Sequence, residues 1–556
     1  MFCPYCGAQA DDQSKFCFKC GAKLPQRSAP AASETPVVPQ NPAAPRSYPT
    51  PPAYTPPQAP AAAPVAVRRQ RKKLPDFSII RQKLTPKMMG VAAAAVILVV
   101  TLAVILGALG SSPAYVAAKG DLIPVYQPST DATYFVSKGK LLDLSFDGNV
   151  SSTVCSMDGT ILALESEDDT LYVCDGKSLT AVAEEAYSWC LSRDGDSICY
   201  LDSDMSLILY NVRKGEAVTI AEECTRQFAI SPNGRQVIYV TAENRDVLMY
   251  FNGKKSIEIE ENAIPLGLSD GGKYIYFQDR DNDGLYITNV KGDTSKLCSN
   301  MDSECYFNAD ATQILFSSDD KLFVSVKGGD KTKIFSDVSI YSFYPLTPMG
   351  SGSTVQCGWN TWMMPLESFA DKCYWNIHED KIIYLNKKLE RETLADEVEQ
   401  VWLCSDAKTL VYTNSDDELI RLNIHKPEKA ETLAEDVCSF QVTTDGKGLY
   451  YMDYDKTLWF TKGDNAKKIA DDVDFMDISH DNRLFFVTDY SHDCGELYVS
   501  KNGGKRVKVA SDVYVLANIA FCTYVCREYE SSDDTFDLYT ISGGAKLNLI
   551  LEGVRG

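Results

Sequence analysis

Beyond Ala114 one unit recurs, and its period constrains the fold more than composition does. Each copy opens on a turn such as Asp158-Gly159, Asp194-Gly195, Asn233-Gly234 or Asp445-Gly446, followed by an alternating apolar strand such as Val237-Ile238-Tyr239-Val240. A polar turn and a second strand follow, marked by Leu171-Tyr172, Leu209-Tyr210, Met249-Tyr250, Leu285-Tyr286, Leu322-Phe323, Leu458-Trp459, Leu497-Tyr498 and Leu538-Tyr539. The spacings are 38, 40, 36 and 37 residues across the first five of these and 39 and 41 across the last three. Self-similarity at such a period signals a repeat architecture rather than one unrepeated core.

Segments such as FAIS, QVIYVTA, DVLMYF and SIEIE give each unit four short strands with Asn-Gly or Asp-Gly turns between them. One four-stranded sheet cannot cover both of its faces, so the copies are expected to stack around an axis. The pattern S-x-D/N-G-x-x-I-x-Y followed by L-Y resembles TolB-type and WD-repeat propellers through most of residues 115–556; the Trp-Asp dipeptide of the WD family is missing, which favours the TolB-like comparison. Ten or eleven units are counted if GKLLDL near Leu142, KIIYL near Ile383 and DELIRL near Leu419 are included. Single rings usually hold about four to eight blades. The expectation is therefore one large ring or two smaller rings with a break at 339–372.

That stretch interrupts the period and gathers Tyr341, Phe343, Tyr344, Trp359, Trp362, Met363 and Met364 around a Gly-Ser turn. Two readings stay open: a binding surface of exposed aromatics, or an irregular blade that buries them. Cys357 and Cys373 bracket it and are a candidate bridge.

Upstream, 88–110 (MMGVAAAAVILVVTLAVILGALG) carries no charged side chain, and at about 1.5 Å of rise per residue it would reach roughly 34 Å as a helix. The expectation is one transmembrane helix, preceded at 67–87 by a basic juxtamembrane segment containing Arg68, Arg69, Arg71, Lys72, Lys73, Arg81, Lys83 and Lys87. Basic flanks resist translocation, which predicts a single-pass cell-membrane protein with a cytoplasmic N-terminus and an extracytoplasmic C-terminal domain. Charge divides at the same point: 13 Lys+Arg against 4 Asp+Glu through Ser111, and 42 against 72 beyond it. Signal cleavage after Val116-Ala117-Ala118 is disfavoured by the length of the apolar run and of the segment before it.

The chain opens with two CxxC turns, Cys3/Cys6 and Cys17/Cys20, each followed by glycine, at Gly7 and Gly21. Two thiolates two residues apart can face one cation when the turn is tight, and two such turns close a tetrahedral structural site. Residues 1–24 resemble the short bacterial zinc-ribbon family, and the resemblance implies structural zinc on Cys3, Cys6, Cys17 and Cys20. So short a segment has almost no core, so the metal is expected to drive its folding. Asp11 and Asp12 offset the nearby bases, so a protein partner in the cytoplasm is favoured over nucleic acid. From 25 to 66 the sequence is Pro/Ala-rich, which predicts a disordered linker acting as a spacer rather than a docking peptide.

Catalytic motifs of the GxSxG, HExxH and Walker types are absent. His378, His425, His480 and His492 fall in separate units beside charged residues and read as solvated turns. Asp279, Asp281 and Asp283 before Gly284 form a candidate calcium loop, although Val290 stands where an EF-hand needs Glu. The 14 cysteines beyond the apolar run read mostly as small buried hydrophobes. The combined expectation is a mainly β protein: N-terminal zinc ribbon at 1–24, disordered Pro-rich linker at 25–66, one transmembrane helix at 88–110 and a β-propeller at 115–556. Its function would be that of a membrane-anchored, non-catalytic scaffold or sensor whose propeller binds a protein or glycan ligand. The alternative is an extracytoplasmic propeller enzyme of hydrolase or lyase type.

Overall fold

The computed structural model describes residues 115–555 apart from 243–246, 303, 337–342, 359–360, 370–372, 378–380, 387, 464, 520–521 and 543–544. The zinc ribbon, the linker, the basic segment and the apolar run 88–110 lie outside the described residues.

Among the described residues there are nine antiparallel-rich sheets. The ten-stranded one is two four-stranded units joined through a two-stranded hairpin, and the seven-stranded one is two four-stranded units sharing the long strand Val507–Ile519. Eleven blades result, numbered here in chain order: 123–147, 150–183, 188–221, 224–261, 263–298, 305–336, 343–395, 398–434, 437–470, 473–510 and 513–554. The three doubtful sequence units all form blade strands, at Lys140–Asp147, Lys381–Leu385 and Leu419–Asn423.

The repeat has a local cause. In blade 2, Ser156 Oγ donates to Asp158 Oδ1 at 3.1 Å and accepts from Ile161 N at 3.0 Å, while Gly159 N donates to Ser156 O at 2.8 Å. The same three contacts recur at Ser192/Asp194/Gly195 and Ser231/Asn233/Gly234. The motif is thus a self-capped hairpin turn between the first and second strands, and Gly159, Gly195 and Gly234 take φ of 72°, 75° and 67° that other side chains resist. Turns of successive blades also abut: a Cβ on Gly234 would lie 2.6 Å from Ser197 Cβ. The leucines of the second marker, Leu171, Leu285, Leu322, Leu458 and Leu497, are fully buried. Each such side chain contributes about 1.5–3 kcal/mol by leaving water.

Each blade shares an apolar cluster with the next, from Leu164 and Phe146 between blades 1 and 2 to Val487 and Val525 between blades 10 and 11. The circuit closes where Val125 and Val136 of blade 1 pack against Tyr524, Leu538 and Val554 of blade 11. Arg555 N donates to Tyr126 O at 3.0 Å and Gln127 Nε2 to Glu552 O at 2.7 Å at that seam.

The interrupting stretch is a crossbeam. Its hairpin, Val355–Gly358 and Thr361–Met363, pairs antiparallel with blade 4 at Ala229↔Gly358 and parallel with blade 6 at Cys305↔Thr361. Ser353 N donates to Met157 O of blade 2 at 2.9 Å, and Met349 N to Leu403 O of blade 8 at 3.0 Å. The entering chain runs beside it, with Tyr115 paired to Leu366 and Ala117 to Ser351. Contact is close: a Cβ on Gly352 would sit 1.8 Å from the Met157 carbonyl oxygen. Val355, Cys357 and Met363 are buried in the core the crossbeam shares with blades 2, 3, 5 and 6, and Trp362 packs on Tyr306 with ring centroids 5.7 Å apart. Of the aromatic group expected here, Tyr341 and Trp359 lie outside the described residues; the packing of Trp362 and Met363 follows the burial reading.

One correction concerns the fold class. The structure is mainly β, and no helix among the described residues is long and apolar enough to cross a membrane, against the expected architecture with one transmembrane helix; 88–110 itself lies outside the described residues.

Candidate ligand site on the propeller axis

The innermost strands of blades 8 to 11 and the crossbeam meet at a cavity of about 320 Å³ lined by Trp402, Met349, Thr444, Ser479, His480 and Asn518 among others. Part of the lining is placed by the repeat. Thr444 and His480 occupy the position between the first and third residues of the capped turn, Thr443-Thr444-Asp445 and Ser479-His480-Asp481. Thr443 Oγ1 and Ser479 Oγ each donate to their Asp at 2.7 Å, and the intervening residue lines the cavity. Thr444 N in turn donates to Asn482 Oδ1 of the next blade at 2.7 Å, fixing the two turns together.

Trp402, on strand Val398–Leu403, keeps 41% of its surface exposed. Asp477 precedes the lining residue Ile478 on its strand and is not itself part of the lining. Burial pushes its pKa above the ordinary carboxylate value, partly offset by Asn518 and by Ile478 N, which donates to Oδ1 at 2.8 Å. Asn518 faces that carboxyl, yet its buried Nδ2 makes no hydrogen bond of good geometry, while its Oδ1 accepts from Thr523 Oγ1 at 2.5 Å. The cavity therefore offers an aromatic ring, hydroxyls, an imidazole and an amide side chain, and no carboxylate lines it.

A raised carboxyl pKa means that the folded chain binds more protons than the unfolded one just above the usual Asp value of about 4. Stability contributed by protonated Asp477 is present below the unfolded pKa and is lost as pH rises through the folded one. Asp477→Asn is expected to remove that part of the slope, measured as the thermal midpoint across this window; an unchanged slope would show that Asp477 is not its source.

The predicted calcium loop does not assemble. Asp279 Oδ1 accepts from Asp281 N at 2.9 Å, and Asp281 Oδ2 from Asn262 Nδ2 at 2.7 Å. Asp283 takes φ 53° in the turn between Ile275–Asp279 and Leu285–Thr288. The carboxylates cap a hairpin rather than converge, and no group of three His, Cys, Asp or Glu suited to a metal occurs among the described residues. Calcium on Asp279, Asp281 and Asp283 is thus not supported. Cys357 is a free, buried thiol with Sγ 3.7 Å from Thr361 O, not half of a bridge. His425, His480 and His492 are exposed, as solvated turns should be, but His480 also lines the axial cavity.

Fold and site together define a β-propeller-like repeat protein that carries a zinc-ribbon sequence. Residues 2–24 match a family described as a zinc-ribbon domain, which includes Cys3, Cys6, Cys17 and Cys20 and suggests zinc binding. No curated protein matches the chain. Solved structures that match include PorZ, a bacterial surface component of the type-IX secretion system of Porphyromonas gingivalis, at 12% identity and TM-score 0.29, covering 77% of this chain and 65% of that one. A eukaryotic initiation factor matches at 9% identity and TM-score 0.31, covering 70% and 95%. Tricorn protease matches at 11% and 0.24, covering 78% and 62%. This chain thus spans less than two thirds of PorZ and of tricorn protease. At such scores the fold rests on its own sheets and their packing.

Proposed function

We propose that this protein is a non-catalytic binding scaffold whose propeller takes a glycan in the axial cavity, while the zinc ribbon serves as a small adaptor for a protein partner. The observation that carries it is Trp402, a half-open aromatic plate above hydroxyl and amide groups. A sugar ring has an apolar face that stacks on such a plate and an equatorial rim of hydroxyls that pairs with groups like Thr444 and Asn518. A volume of about 320 Å³ is at the lower end for a small-ligand site and suits one saccharide unit of a longer chain. The cysteines of the ribbon would hold zinc in a closed tetrahedral set, which gives the segment a fixed shape rather than a reactive centre.

A glycan array probed with the full chain tests this. Binding to a defined saccharide class, reduced at least tenfold by Trp402→Ala, is expected. Binding of peptides alone, or glycan binding untouched by that substitution, would replace the reading.

A further inference from the structure

A second cavity, of about 550 Å³, lies where blades 3, 4 and 5 meet and is lined by Asp204, Glu223, Thr225, Gln227 and Arg280 among others. Its charges are arranged unusually. Arg280 is fixed at the wall: its backbone N donates to Asn262 O at 3.0 Å, and its Nη2 donates to Gln227 Oε1 at 2.6 Å. Its Nε is buried and has no hydrogen-bond partner. Neither Asp204 nor Glu223, both exposed on the rim, forms an ion pair or a side-chain hydrogen bond with any described residue, Arg280 included. Elsewhere on this surface opposite charges do close on each other, as Arg421 and Glu431 do at 2.7 Å.

A cation and two carboxylates lining one cavity, yet standing apart, form two unlike half-sites. A guanidinium recognises a carboxylate through the N–H groups that its protein partners leave unengaged. Carboxylates on the rim recognise an ammonium group and would repel a polyanion. We infer that this cavity binds a zwitterion of the α-amino-acid type, its carboxylate on Arg280 and its ammonium on Asp204 and Glu223. The site is separate from the axial cavity.

The test is calorimetric titration of the full chain with the free L-amino acids, with acetate and methylamine as half-ligands. At least one amino acid is expected to bind saturably, with acetate and methylamine each at least tenfold weaker. Arg280→Gln should weaken that binding at least tenfold and Arg280→Lys recover part of it, whereas Trp402→Ala should leave it unchanged. Should Arg280→Gln fail to fold, the rim double variant Asp204→Asn with Glu223→Gln tests the ammonium half, again with a tenfold loss expected. No binding by any amino acid, or full binding in Arg280→Gln or in the rim variant, would overturn the assignment.

Discussion

Phe307→Ala is expected to lower the unfolding free energy by about 3–5 kcal/mol, the usual cost of emptying a fully buried aromatic site. Phe307 is wholly buried on strand Cys305–Phe307, with its ring centroid 5.2 Å from that of Tyr276. It fills the space that Gly267 leaves open, since a Cβ there would come 2.5 Å from Phe307 Cε2. The same strand pairs with Gln313–Ser318 of its own blade on one side and with the crossbeam on the other, so the cavity would also loosen the crossbeam's attachment. Denaturant unfolding checks the figure, with Val218→Ala, at a side chain 51% exposed, as the reference expected to stay within about 0.5 kcal/mol. A loss below about 1 kcal/mol for Phe307→Ala would mean that the strand tolerates collapse and does not anchor the crossbeam.

Cys17→Ser is expected to abolish the fold of residues 1–24. Four thiolates close a structural zinc site, and in segments of this size the metal supplies about 10–16 kcal/mol of apparent binding energy, which is also the folding energy. Three thiolates leave an open position, and the remaining apolar groups, Phe2, Tyr5, Phe16, Phe18 and Leu24, are too few to compensate. Metal analysis should give one zinc per chain before the substitution and none after it, with new proteolytic cleavage within 1–24. Zinc retained at full stoichiometry by Cys17→Ser would show that these four cysteines are not the set.

The repeat was legible because its cause is local. Ser156, Asp158 and Gly159 make their contacts within six residues, so the turn is written in the order of the chain, and the buried leucines follow at fixed distance. The crossbeam was legible as an interruption and no more. Its pairing of Thr361 with Cys305 and of Gly358 with Ala229 joins residues far apart in sequence, which no periodicity encodes.

The axial site shows the same division. Thr444 and His480 share the middle position of the capped turn and both line the cavity, so reading that position through the repeats could have found them; the sequence reads His480 as a solvated turn and does not single out Thr444. Trp402 carries no motif at all; its exposure follows from the blade it sits on. Conversely, the alternation of Asp279, Asp281 and Asp283 reads alike for a cation loop and for a hairpin that caps its own N–H groups, and Asn262, which takes Asp281, is remote from any such pattern. Hydropathy alone drew the helix at 88–110, outside the described residues.

The most direct test of the account is a structure of the full chain with a captured oligosaccharide. A sugar ring lying flat on Trp402, within hydrogen-bond distance of Thr444 or Asn518 and chemically intact, is the expected result. A saccharide held on the outer blade edges with the axial cavity empty, or one cleaved within that cavity, would contradict it.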